Sequence, residues 1–124
     1  MSSSLTAVVV DAIEDLKGSE IVVIDVVGRS SVTDTIVIAS GSSSRQIAAI
    51  AERVVERLQE VGTTGPIRVE GEKETGWILV DGGDIIAHLM LPDTRDYYNL
   101  EKLWQDVAPG QPLPPQLRGK SDGA

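Results

Sequence analysis

No cysteine occurs anywhere in the chain, so disulfides, thiolate metal sites and a cysteine nucleophile are all excluded. Phenylalanine is missing too, and two Trp and two Tyr are the only aromatic residues among 124. Where aromatics are this scarce, the place of each one carries information. A single histidine, His88, leaves any serine nucleophile one possible imidazole base, and no G-x-S-x-G elbow is present to present such a serine. Basic residues are outnumbered, eleven against nineteen acidic ones for a net charge of −8. That balance opposes binding modes that neutralise nucleic-acid phosphates or anionic lipid, so no direct nucleic-acid site is expected. It suits a basic protein partner, whose approach opposite charge would steer. No segment approaches the roughly 20 apolar residues that span a bilayer, and the start, Met1-Ser-Ser-Ser, lacks the basic region and apolar run of a signal peptide. The expected setting is the cytoplasm, without membrane contact.

What is present is enough for one domain with one main surface to explain. Leu5, Val8, Val9, Ala12, Ile13 and Leu16 recur at helical spacing, ahead of Lys17-Gly18 as a helix end. Ile21–Val26 and Thr35–Ala39 are β-branched apolar runs separated by Gly28-Arg29-Ser30-Ser31, and both read as buried strands. After Gly41, Ser43 and Gln46 form a capping box before Ile47, Ile50, Ala51, Val54, Leu58 and Val61, a helix closed by Gly62. Three further strands are expected at Ile67–Glu70, Trp77–Asp81 and Asp84–Leu91. Pro92 ends the last of them, and Asp93 or Thr94 is placed to cap a helix with Tyr97 and Tyr98 in its first turns and Leu100, Leu103, Trp104 and Val107 on its apolar face. Four prolines between Pro109 and Pro115 and a polar end mark residues 109–124 as a flexible tail beyond a domain of residues 1–108. The fold class is α/β or α+β, a mixed sheet flanked by helices.

Gly82-Gly83 is a two-residue hairpin signal. With those glycines as the loop, Asp81 lies across from Asp84, Leu79 from Ile86 and Trp77 from His88. One face of the hairpin then carries Ile78, Val80, Ile85, Ala87 and Leu89 and is core. The other carries Trp77, Leu79, Asp81, Asp84, Ile86, His88 and Met90, a composition suited either to a partner or to cover by the final helix. Strand rise of ~3.3 Å per residue puts His88 about 13 Å from Asp84, too far for one metal shell, and no metal or cofactor site is expected. Gly41-Ser42-Ser43-Ser44 stands at a helix start, where backbone amides can hold a phosphate, but serine capping explains the segment and no P-loop lysine follows.

Three stretches, in order, carry a resemblance. They are Ser31-Val-Thr-Asp-Thr-Ile-Val-Ile-Ala-Ser-Gly-Ser-Ser-Ser-Arg-Gln-Ile, Val69-Glu-Gly-Glu with Gly76-Trp-Ile-Leu-Val-Asp-Gly-Gly-Asp, and Tyr98-Asn-Leu-Glu-Lys-Leu-Trp. Together they resemble the ribosomal silencing factor, or Iojap-like, family over about residues 5–107. The resemblance implies a five-stranded mixed sheet like a minimal nucleotidyltransferase. It implies a non-catalytic repressor that binds the large ribosomal subunit through ribosomal protein L-fourteen and blocks joining of the small subunit. Carried over position by position, the partner-binding residues are Trp77, His88, Met90, Tyr98, Leu100 and Lys102, with Trp77 and Tyr98 as anchors and Trp104 as packing. The alternative is a nucleotide-binding or nucleotidyl-transferring enzyme, although Ile67-Arg-Val-Glu70 lacks the D-x-D pair that chemistry uses. Homodimerisation through the same patch would compete with a partner.

Overall fold

The computed structural model describes residues 2–27, 33–63, 65–72 and 76–99. Along the chain run α1 (Ser2–Asp15), β1 (Ser19–Asp25), β2 (Thr35–Ser40), α2 (Ser44–Val61), β3 (Arg68–Glu72), β4 (Trp77–Asp81), β5 (Ile85–Met90) and α3 (Pro92–Tyr98). The strands form one sheet in the order β1-β2-β5-β4-β3, with only the central β2–β5 pair parallel. This is the expected mixed α+β architecture.

Every residue of β2 and β5 is buried, which is why both read as continuous apolar runs with no alternation. The α1 and α2 helices close one face. There Val9, Ala12, Ile13, Ile47, Ile50, Val54 and Leu58 pack against Val37, Ala39, Ile78, Val80, Ile85, Ala87 and Leu89. The opposite face has its own cluster of Val26, Ile36, Ile38, Ile86 and Met90, with Ile24, Trp77 and Leu79 at its margin.

Local chemistry sets the helix ends. α1 stops in a Schellman arrangement, in which Gly18 N–H donates to Ile13 C=O and Lys17 N–H to Glu14 C=O. The left-handed residue there is Lys17, at φ 65°, and not the glycine beside it. Ser43 caps α2 by accepting the Gln46 N–H, as the capping box requires. Its return arm differs, because Gln46 Oε1 accepts from Ser42 N–H and Oγ, while Gln46 Nε2 donates to Leu16 C=O and ties α2 to the end of α1. Asp15 accepts from both Arg53 and Arg57 across the same helix pair.

The hairpin departs from its expected register. Trp77 pairs with Met90, Leu79 with His88 and Asp81 with Ile86, so every partner sits two residues further on. Gly82 N–H donates to Ile85 C=O, which sets Gly82 across from Ile85 just past the end of β4 and leaves Gly83-Asp84 as the loop. Asp81 accepts the Gly83 N–H and Gly83 has φ 90°, so the carboxylate selects which glycine turns. The expected Asp81–Asp84 pairing is thereby corrected. A shift of two preserves the parity of the strands, so both expected faces survive.

The last helix is also corrected. Leu91 is its N-cap, Pro92 its first residue and Asn99, at φ 49°, its left-handed cap, so Tyr97 and Tyr98 fall in the last turn and not the first. Proline at the first helical position needs no N–H and brings its φ already set. Leu100, Lys102, Leu103, Trp104, Val107, the boundary at 108 and the tail 109–124 lie outside the described residues, as does the turn Gly28-Arg29-Ser30-Ser31.

Candidate functional site: a row of rings on the second face

Three of the four aromatic side chains and the lone histidine come together. From the interior outward, His88, Trp77, Tyr98 and Tyr97 form a row, with ring centroids 5.7, 4.7 and 5.0 Å apart. The successive contacts are tilted or edge-on, the geometry that aromatic quadrupoles favour. β5 supplies His88, β4 supplies Trp77, and the last turn of α3 supplies both tyrosines.

Burial changes steeply along this row. His88 is 2% exposed, Trp77 half-buried, Tyr98 41% exposed and Tyr97 82% exposed. Trp77 Nε1–H donates to His88 Nδ1 at 3.0 Å, a contact made on the diagonal because Leu79 stands directly across from His88. An acceptor Nδ1 requires a neutral imidazole with its proton on Nε2. Burial favours that same state, taking the His88 pKa from its ordinary 6.5 down to about 4. The histidine therefore serves as a fixed acceptor that orients the indole.

Met90, directly across from Trp77, is fully buried and fills the floor beneath it. The structure thus brings Trp77, His88, Met90 and Tyr98 together, while Leu100 and Lys102 fall beyond the described residues. Two contributors were not singled out from the sequence. Tyr97 extends the row into solvent, and Arg95, buried in α3, donates to Ser40 Oγ at 2.8 Å and fixes the helix to the end of β2. The signal for Arg95 was present as a cation one helical turn after Leu91, but spacing alone does not separate a buried arginine from a solvated one.

At the α2 start, the Ser42 amide and hydroxyl are bonded to Gln46 Oε1 and the Gln46 amide to Ser43 Oγ. Those donors are therefore taken up by the cap and not left for a phosphate. Among the described residues no three His, Cys, Asp or Glu side chains group closely enough to hold a metal ion, and no helix is long and apolar enough to cross a membrane.

Residues 1–122 match the family described as "Ribosomal silencing factor during starvation". The chain belongs to the ribosomal silencing factor family. Ribosomal silencing factor RsfS of Zymomonas mobilis is 43% identical over 81% of this chain and 74% of its own length. A crystal structure from Chromobacterium violaceum superposes with a TM-score of 0.78 at 35% identity, covering 89% of this chain and 96% of that one. A mouse protein named for mitochondrial assembly of the ribosomal large subunit is 38% identical over 68% of this chain, which spans only 38% of that longer protein. Family members are named for silencing at the ribosome, a regulatory role.

Proposed function

We propose that this silencing factor uses the ring row to bind the large ribosomal subunit through ribosomal protein L-fourteen, and that its bulk there keeps the small subunit from joining. The observation that carries this reading is the convergence of three scarce aromatics into a row that starts on a buried acceptor and ends at an exposed tyrosine. Aromatic anchors held rigid before binding lose little freedom on docking, which is what a recognition surface needs. The mouse relative, named for large-subunit assembly, supports the choice of subunit. A net charge of −8 supports a basic ribosomal protein over RNA as the direct contact, in the cytoplasm where ribosomes work.

In this reading Trp77 and Tyr98 touch the partner. His88 and Met90, being buried, contribute by holding Trp77 from beneath, and Leu100 and Lys102 extend the surface along the chain. Occlusion needs affinity and volume, with no chemical step. Co-sedimentation with isolated large subunits tests it. Trp77→Ala should weaken pelleting roughly thirtyfold, the loss expected of a buried anchor worth about 2 kcal/mol. Tyr97→Ala, at a site too exposed to matter for folding, should weaken it severalfold. Retained binding by both variants would remove the ring row from the interface. Addition of small subunits then tests occlusion: the bound protein should hold the two subunits apart. Self-association through the same rings would appear in light scattering as a dimer that large subunits dissociate.

A further inference from the structure

A second surface lies at the edge of the sheet, with its groove on the face opposite the rings. β3 ends the strand order, and among the described residues no strand pairs with its outer side. Alongside it runs a groove of about 480 Å³ between α2 and the sheet, with Ala48, Ala51, Val55, Val69 and Ile78 among its walls and Glu52 and Glu56 on its helix side. Val69 pairs with Val80, whose side chain is core, so Val69 points into the same layer, yet it is 53% exposed. Glu70 points to the other face, where its Oε1 is buried with no hydrogen-bond partner among the described residues. Charged side chains guard an open edge against indiscriminate pairing, and the mostly acidic β3, Arg-Val-Glu-Gly-Glu, guards it least against a basic strand.

We propose that β3 and this groove receive an extended, basic segment of a partner protein. It would add a sixth strand, placing alternate apolar side chains in the groove beside Val69 and the intervening lysines or arginines on the other side of the sheet, where Glu70 points, while Glu52 and Glu56 of α2 add to the negative field the segment meets. Strand addition supplies main-chain hydrogen bonds for affinity, and the two-residue side-chain period supplies the pattern of recognition. Charge selects this occupant over a second copy. Two molecules that each carry −8 repel as they approach, whereas a basic segment is drawn in. The surface is independent of the Trp77 row, and its test stands or falls separately.

Three capped hexapeptides serve as probes: alternating lysine and valine, alternating glutamate and valine, and alternating lysine and serine. Each is titrated into the full, nitrogen-labelled chain while backbone amide shifts are followed. The lysine-valine peptide should move amides of Arg68–Glu72 and of α2 near Glu52, and the other two should not. Val69→Lys should weaken that binding about tenfold or more, and Glu52→Lys severalfold. Should Val69→Lys fail to fold, the exposed Glu52→Lys decides alone. Equal binding of all three peptides, shifts confined to other surfaces, or indifference to the variant that decides would each overturn the proposal. So would a dimer in light scattering that Val69→Lys abolishes, because it would give the edge to a second copy.

Discussion

His88 shows how one side chain ties stability to pH. Its ordinary pKa of 6.5 falls to about 4 on burial. Above pH 6.5 the imidazole is neutral folded or unfolded, and the burial carries no proton penalty. Between pH 6.5 and about 4 the unfolded chain takes up a proton that the folded chain refuses, so stability falls as pH falls. The full loss is about 3 kcal/mol, from the 1.36 kcal/mol that one pKa unit represents. Urea unfolding of the parent and of His88→Gln from pH 7 to pH 4 checks this, since carboxylates act on both alike. The parent's advantage should shrink through that window, and a constant gap between the two curves would dismiss the effect. Trp77 follows the same logic from the donor side. Trp77→Phe keeps a ring against Tyr98 but removes the N–H that His88 accepts, and should cost about 1 kcal/mol at pH 7.

Elements were legible to the degree that their chemistry is local. The strands of the sheet centre announce themselves through β-branched runs, and Ser43 with Gln46 marks the start of α2 before any packing is considered. Register was less legible, since both Gly82 and Gly83 can turn a chain and the choice rests on one side-chain bond from Asp81. The bulge in β1 between Ser19 and Val22, with Glu20 at φ 49°, has no glycine to signal it. The candidate site was readable through scarcity, as Trp77, Tyr98 and His88 stood out by number. Their contact needed the diagonal of a shifted hairpin and a helix that begins at Pro92. The α1 end offers a test at this scale. Lys17 occupies a left-handed conformation that a side chain disfavours, so Lys17→Gly should raise stability by about 0.5–1 kcal/mol in thermal unfolding. A drop would mean the lysine side chain earns its place through contacts outweighing its backbone strain.

For the whole molecule, the sheet is a partition between two apolar clusters and not a cover over one. Ile50 belongs to the cluster under the helices and Ile38 to the one beneath the rings. Ile50→Ala and Ile38→Ala should each cost about 2–5 kcal/mol in denaturant unfolding, the range for a buried isoleucine whose cavity stays open. A small cost at Ile38 alone would show that the second cluster can collapse and is not a core. Net charge acts at the same scale. With −8 spread over the chain, association with a basic ribosomal partner should slow as salt rises, and stopped-flow measurements across ionic strengths would show it.

The parallel seam at the middle of the sheet joins Thr35 to Ile85 and Ser40 to Met90. Its two strands are made far apart in time, and nothing between them can stand in for the later one. Until residue 90 has left the ribosome that is synthesising the chain, β2 has one long edge unfilled and neither apolar cluster is complete. The rings assemble later still, when Tyr98 reaches Trp77. If the rings are the recognition surface, a growing chain lacks that surface until Tyr98 has emerged and packed on Trp77.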